Sequence, residues 1–280
     1  MKGSDDYMAV KLMAGNSKGG IGKTLISNLF GYHLAERGNK VLIVDFDPQG
    51  NTTRLFREKY KVEIKKTIYQ AVTKDDLSDL ICTVEGENIS LIPTSADLSL
   101  LTKGKHNNIN VLKNIISQIE SDFDYIIIDT PPTMEDFYLQ NVFNVVNYFV
   151  IIVENSEQSF QNVYKYHELA NDIYENLNPD LEYLGILMNK RDDSDEIFNR
   201  LKEKYGLNDE EYFKHAIPKN ARLAKYSEDG VYNYMNKKSN IIKYDQWDYK
   251  VMRIMNPIID ELLERINEAK SDSLEKVNNV

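Results

Sequence analysis

The chain has 280 residues, a formal net charge of −10 and 42% hydrophobic residues. That length and apolar content fit a single α/β domain over residues 1–280, with 1–7 and 270–280 expected as frayed polar tails. No apolar run approaches the roughly 18–20 residues of a membrane span, the polar start from Met1 to Tyr7 has no signal-peptide pattern, and a lone cysteine, Cys82, excludes an intrachain disulfide or an all-cysteine metal site. The chain is expected in the cytoplasm, and on a protein this acidic any nucleic-acid contact must come from a local basic face.

The apolar run Ala9–Ala14 reads as a short buried strand, and Leu25, Ile26, Leu29, Phe30 and Leu34 have the spacing of a helix face. Between them lies Lys18-Gly19-Gly20-Ile21-Gly22-Lys23-Thr24. Strand, glycine-rich turn and helix in that order form a phosphate cradle. Backbone N–H groups wrap the phosphate, and the helix N-terminus adds partial positive charge. The three glycines allow close backbone approach. Lys23 is placed to pair with β/γ-phosphate oxygens and the Thr24 hydroxyl to ligate Mg²⁺.

The helix stops near Gly38, and Lys40–Asp45 is apolar as a strand covered on both faces should be. It delivers Asp45-Phe46-Asp47-Pro48-Gln49-Gly50-Asn51-Thr52-Thr53 to the carboxyl edge of the sheet, where two acids beside a phosphate loop suit Mg²⁺-water contacts and an attacking water. Residues 54–110 are less legible, with a helix around Thr67–Val72 and a strand at Ile89–Pro93. Lys59, Lys61, Lys65 and Lys66 read as a solvated face rather than a binding patch. Ile109 to Ile119 has helical spacing and feeds Tyr125–Asp129, a buried strand ending in an acid suited to hold Mg²⁺ through water. Thr130-Pro131-Pro132 stiffens the turn after it. A strand from Tyr148, a helix over 157–177, a strand from Leu181 to Asn189 and an amphipathic helix over Ile254–Ile266 complete the chain. His215 and Trp247 are expected in core or interface packing.

These motifs resemble the ParA/MinD family of deviant Walker A ATPases. Ser17 stands where the usual loop has its first glycine, and Lys18 is the additional lysine. The resemblance implies a doubly wound, mostly parallel α/β P-loop NTPase sheet with helices on both faces. It also implies a lysine, Lys18, that reaches a partner's nucleotide across a homodimer interface. Asp-x-Asp-Pro-Gln-Gly-Asn resembles the ParA switch I, with Asp47 positioning the hydrolytic water. Asp45 and Asp129 join Thr24 on the Mg²⁺ side, and Asp129-Thr130-Pro131-Pro132 resembles switch II. Gly19, Gly20, Ile21, Gly22 and Leu25 complete the loop around ATP, although the family usually has Thr or Ser at Leu25. Asn189 is the candidate adenine reader, and a simple strand terminator is the alternative. In Ile217-Pro218-Lys219-Asn220-Ala221-Arg222-Leu223 the backbone after the proline is expected against adenine.

Between Arg200 and Lys243 ten basic residues face six acidic ones, against an acidic remainder. That asymmetry suits a DNA-facing edge with Lys202, Lys214, Lys219, Arg222, Lys237, Lys238 and Lys243 as candidates, or an ordinary lysine-rich surface. The resemblance favours a DNA-partition ATPase that binds DNA non-specifically as the ATP dimer and answers to a centromere-binding, ParB-like adaptor at the nucleoid. The N-terminus is expected to be too short for the DNA-binding extension of some ParA proteins. A MinD-like membrane regulator is disfavoured by Asp260, Glu261, Glu264 and Glu268 late in the chain, which anionic lipid would repel. A metabolic P-loop enzyme and a nucleotide-locked scaffold stay open.

Overall fold

A computed structural model describes residues 8–103, 107–190, 196–229 and 246–278. Lys237, Lys238 and Lys243 lie outside the described residues. Seven strands form one sheet: β1 (Val10–Gly15), β2 (Val41–Asp45), β3 (Cys82–Thr83), β4 (Ile89–Ile92), β5 (Tyr125–Asp129), β6 (Tyr148–Val153) and β7 (Glu182–Met188). Their order is β3-β4-β2-β5-β1-β6-β7, parallel throughout except where the two-residue edge strand β3 runs antiparallel to β4. The chain moves to one side of β1 for β2 and β5, then to the other for β6 and β7. β1 therefore stands at the topological switch point, where open α/β sheets bind ligands beyond the strand ends.

The central strands alternate between two apolar layers, as period-two side chains must. Leu12 and Ile127 face one layer, with α1 (Lys23–Glu36), α8 (Ala221–Asp229) and α9 (Gln246–Asn278) supplying Leu29, Tyr226 and Met255 to it. Met13, Ile126 and Ile128 face the other, which takes Ile68 from α3 (Ile68–Lys74), Leu112 from α4 (Val111–Ile116), Phe143 from α5 (Asp136–Phe143), Phe160 from α6 (Glu157–Asn176) and Leu201 from α7 (Glu196–Lys204). The expected doubly wound architecture is the one observed.

Several elements differ from the sequence reading. Helix α2 (Asn51–Tyr60) starts within the expected switch I segment, with Gly50 at φ +62° before its first turn. Helix α4 ends at Ile116, and a turn and a 3-10 turn at Glu120–Asp122 carry the chain to β5. Helix α5 follows the two prolines unannounced. Helix α9 is 33 residues long, continues past Pro257 and runs to Asn278 through most of the stretch expected to fray. Its buried residues Val251, Met255, Ile258, Ile259, Leu262 and Ile266 keep helical spacing on both sides of the proline.

The lysine group around residue 60 is not a uniformly solvated face. Lys59 lies over the rings of Tyr32 and Tyr60, at 4.3 and 4.9 Å, and Lys66 pairs with Asp76. His215 and Trp247 are not core residues; each is about half exposed, His215 beside Glu261 at 3.6 Å and Trp247 beneath Lys250.

Candidate functional site

The glycine-rich loop leaves β1 and closes on the N-terminus of α1. Gly22 caps that helix at φ +98°, a left-handed conformation that L side chains avoid. A Cβ there would also lie 2.5 Å from Asn189 Nδ2. Lys23 is almost fully buried, and its ammonium donates to the Lys18 carbonyl at 3.1 Å. Burial pulls its pKa down to about 8 against the opposing pull of the Asp129 and Asp47 carboxylates.

Asp45 and Asp129 are direct register partners at the ends of β2 and β5, both without solvent exposure. Burial raises the pKa of each, and the Asp129 charge raises Asp45 further. Asp45 Oδ2 accepts the Thr53 N–H and hydroxyl, both at 2.7 Å, and Asp129 Oδ2 accepts the Thr52 hydroxyl at 2.8 Å. Asp129 Oδ1 is buried with no hydrogen-bond partner among the described residues. Asp47 is buried at the turn into α2, where its carboxylate accepts the Gln49 N–H at 2.9 Å; burial raises its pKa, while that hydrogen bond and Lys23 oppose the rise. A cleft of about 320 Å³ opens beside the loop, lined among others by Gly20, Lys23, Thr24, Leu25, Asp47 and Thr130.

A hard divalent cation fits this corner. Its donors are hydroxyl and carboxylate oxygens, and the orphaned Asp129 Oδ1 supplies an acceptor for a metal-bound water. Among the described residues no three acidic, His or Cys side chains form a protein-only cage. The oxygen donors suit Mg²⁺, which keeps waters and shares its ligands with phosphate.

Lys18 sits at the rim. Its N–H donates to Asn16 Oδ1 at 2.9 Å and its ammonium pairs with Glu154 at the end of β6. Asn16 is itself fixed, donating to the Ile152 and Ser159 carbonyls and accepting from Asn162. Lys190 approaches the same Glu154 at 3.4 Å and donates to the Gly20 carbonyl. Residues 10–183 match the AAA domain family, and the sporulation initiation inhibitor protein Soj of Bacillus subtilis (strain 168) is 28% identical over 224 residues, 77% of this chain and 86% of Soj.

The chain belongs to the AAA domain family and is a ParA-type ATPase.

Solved structures show the same fold. A putative plasmid partition protein from Borrelia burgdorferi B31 bound to AMPPNP has a TM-score of 0.69 at 20% identity, over 90% of this chain and 99% of that one. A cobyrinic acid a,c-diamide synthase from Mycobacterium smegmatis with bound ADP and magnesium has a TM-score of 0.66 at 24% identity, over 79% and 92%.

In this ParA-type ATPase the expected adenine-side residues fall together near the end of β7. Asn189 is buried and braces the loop, donating to the Ile21 carbonyl at 2.6 Å and accepting the Lys190 N–H at 2.9 Å. Ile217 N–H donates to the Met188 carbonyl at 2.8 Å, which sets Pro218 and Lys219 beside that strand end in exposed positions. Asn220 Oδ1 caps the first turn of α8 by accepting the Arg222 and Leu223 N–H groups. The basic candidates do not share one role. Lys214 and Lys219 are exposed, Lys214 with its ammonium 3.9 Å from Glu264, and Lys202 pairs with Asp209 and lies over the Tyr212 ring.

Arg222, one of the basic candidates, is engaged within the fold. Its guanidinium grips the fully buried Asp248 at 2.6 and 2.9 Å, tying α8 to α9. Asn16, Asn28, Thr52, Thr53 and Glu154 contact the candidate site residues and Ser227 lines the cleft, none of them named by the sequence reading as a candidate. Glu154 carried a sequence signal, an acid closing an apolar strand run. Asn16 carried none, because its role depends on β6 and α6 arriving beside it.

Proposed function

We infer that this ATPase hydrolyses ATP with Mg²⁺, dimerises in the ATP state and binds DNA without sequence preference, with turnover stimulated by a centromere-bound adaptor. The observation that carries the reading is a glycine loop whose Lys23 faces Asp129 and Asp47, with a second lysine, Lys18, held at its rim by Glu154. That arrangement occurs in a chain similar to chromosome-partitioning proteins over most of its length.

Loop N–H groups and the Lys23 ammonium bind the β- and γ-phosphate oxygens, and α1 directs its positive end at them. Thr24, Asp45 and Asp129 would hold Mg²⁺, directly or through water, and the ion would supply charge neutralisation at the phosphates. Asp47 orients the attacking water. Little covalent work is left to the protein, so positioning limits the rate and an adaptor can complete it. Asn189, Pro218, Lys219 and Asn220 form the adenine side. Lys18 must leave Glu154 to reach a partner's nucleotide, so its use is confined to the dimer.

DNA contacts fall to Lys214 and Lys219, with Lys237, Lys238 and Lys243, as phosphate contacts that carry no base information. The working site is the nucleoid. Among the described residues no helix is long and apolar enough to cross a membrane. The test is co-sedimentation with random-sequence DNA in ATP, ADP and no nucleotide, alongside light scattering for dimer formation. ATP-dependent DNA binding by a dimer, weakening log-linearly with salt, is expected. An ATP dimer that ignores DNA would move the reading to a small-molecule enzyme or a scaffold.

A further inference from the structure

The two acidic strand ends are held by two consecutive residues of α2. Thr52 donates its hydroxyl to Asp129 Oδ2 at 2.8 Å, and Thr53 donates its hydroxyl and N–H to Asp45 Oδ2 at 2.7 Å each. Each prong is anchored behind. Asn28 Nδ2 donates to Thr52 Oγ1 at 2.7 Å and to the Thr24 carbonyl at 2.7 Å, while the Thr94 N–H donates to Thr53 Oγ1 at 3.0 Å. Thr52, Asn28 and Asp129 are all buried, with exposures of 0, 2 and 0%. The direction of the Thr52 bond is fixed by chemistry: the Asn28 amide nitrogen only donates, so the one proton of the Thr52 hydroxyl is left to point at the Asp129 carboxylate.

We propose that Thr52 and Thr53 form a fork that positions the Mg²⁺-side carboxylates, with Thr52 acting as the positioning residue that keeps Asp129 Oδ1 free for the metal's water. The proposal rests on the nucleotide-binding reading above. Two parallel strands bring two carboxylates side by side, where their charges repel and water cannot screen them. Left alone, either acid would rotate to find a donor. Thr52 holds Oδ2 from one side and the Thr24 hydroxyl lies beside the same carboxylate, which leaves Oδ1 as the carboxylate oxygen of the pair that is buried with no hydrogen-bond partner among the described residues. Because both prongs sit in the first turn of α2, the helix that follows Asp47, the pose of the metal-side acids is tied to that of the switch segment. Asn28 carries the same tie into α1, one turn beyond Thr24.

The experiment titrates Mg²⁺ against the full chain at fixed fluorescent ATP analogue, reads nucleotide binding rather than turnover, and repeats the measurement in EDTA. Thr52→Val keeps the side-chain shape and removes the donor; Thr52→Ser keeps the donor. The half-saturating Mg²⁺ concentration is expected to rise about tenfold in Thr52→Val and to stay within about twofold in Thr52→Ser, the scale of one hydrogen bond to a charged group. Metal-free binding is expected to be equal in all three proteins. Thr52→Ala gives the same reading should the valine variant fail to fold. An unchanged Mg²⁺ requirement in Thr52→Val or Thr52→Ala overturns the fork while leaving the nucleotide site intact. An equal loss of binding in Mg²⁺ and in EDTA overturns it as well, since that marks a general packing defect. An unmodified chain that binds no nucleotide defeats the underlying reading first, and the fork with it.

Discussion

At the carboxyl edge of β1, β2 and β5, Lys23, Asp45, Asp47 and Asp129 are all at most 5% exposed, and their charges are held by hydroxyls, backbone N–H groups and one another. Around α7 and α8 the charges divide differently. Lys214, which meets the exposed Glu264 at 3.9 Å, and Lys219 are exposed side chains, while Arg222 lies against the buried Asp248 and Lys202 pairs with Asp209. Burial at the strand ends keeps charges costly and therefore ready for a ligand that completes them. The Arg222–Asp248 pair already completes itself and serves the fold. A run of basic residues in sequence does not separate these uses; the partner each cation meets does.

The widest separation between the two regions should come from Lys23→Ala. Removing the main phosphate counter-ion is expected to weaken ATP binding by roughly a hundredfold or more, the scale of a lost charge-assisted contact. The same change should leave thermal stability nearly unaltered, because Lys23 is a buried cation whose burial already opposes its charge. Equilibrium binding and a melting curve decide it, and a large loss of stability would place Lys23 with Arg222 as a fold residue.

Asp47→Ala should come next. Binding of ATP is expected to persist while turnover falls on the order of a hundredfold, as for a missing water-orienting group. Hydrolysis at the unmodified rate would remove Asp47 from the chemistry.

On the other side of the comparison, Arg222→Ala leaves Asp248 buried without its guanidinium and should cost about 3 kcal/mol of folding stability, read by urea denaturation. Lys214→Glu and Lys219→Glu, both on exposed side chains, should stay within about 0.5 kcal/mol of the unmodified stability while lowering DNA affinity. Equal destabilisation by all three would erase the distinction between the fold cation and the surface cations.

The smallest effect concerns His33 on α1, the helix that begins at the phosphate loop and packs against α9. Burial, with Arg37 nearby, lowers its pKa to about 3, so the native state binds fewer protons than the unfolded chain between about pH 3 and 6.5. Stability should therefore rise with pH across that window and flatten above it, with a slope of at most about 1.4 kcal/mol per pH unit from this one group. His33→Gln should flatten that part of the profile, measured as urea midpoints from pH 4 to 7. An unchanged slope would show that His33 is not the group being charged.

Much of the nucleotide edge is legible in the sequence. Lys23, Thr24, Asp45 and Asp129 each close an apolar run or open a helix, and a near-continuous apolar run marks a parallel strand covered on both faces, so the acid after it falls at the strand's end. Helix α2 was illegible because its polar sequence, Asn51 to Tyr60, has only Thr52, Leu55 and Phe56 buried, too few to show a period. The length of α9 was underestimated, although its buried face continues on both sides of Pro257.

The sequence by itself determined the order of strand, glycine loop and helix and the acids at two later strand ends, because these depend on local spacing and on side-chain chemistry. Only the tertiary structure decided which acids become neighbours, since β2 and β5 are 80 residues apart in sequence and are paired by sheet order. It also decided that Thr52 serves Asp129 while Thr53 serves Asp45, that Glu154 holds Lys18, and that Arg222 faces Asp248 instead of solvent. Each of these rests on a charged or polar group meeting a partner from a distant element, and burial sets the energetic weight of that meeting.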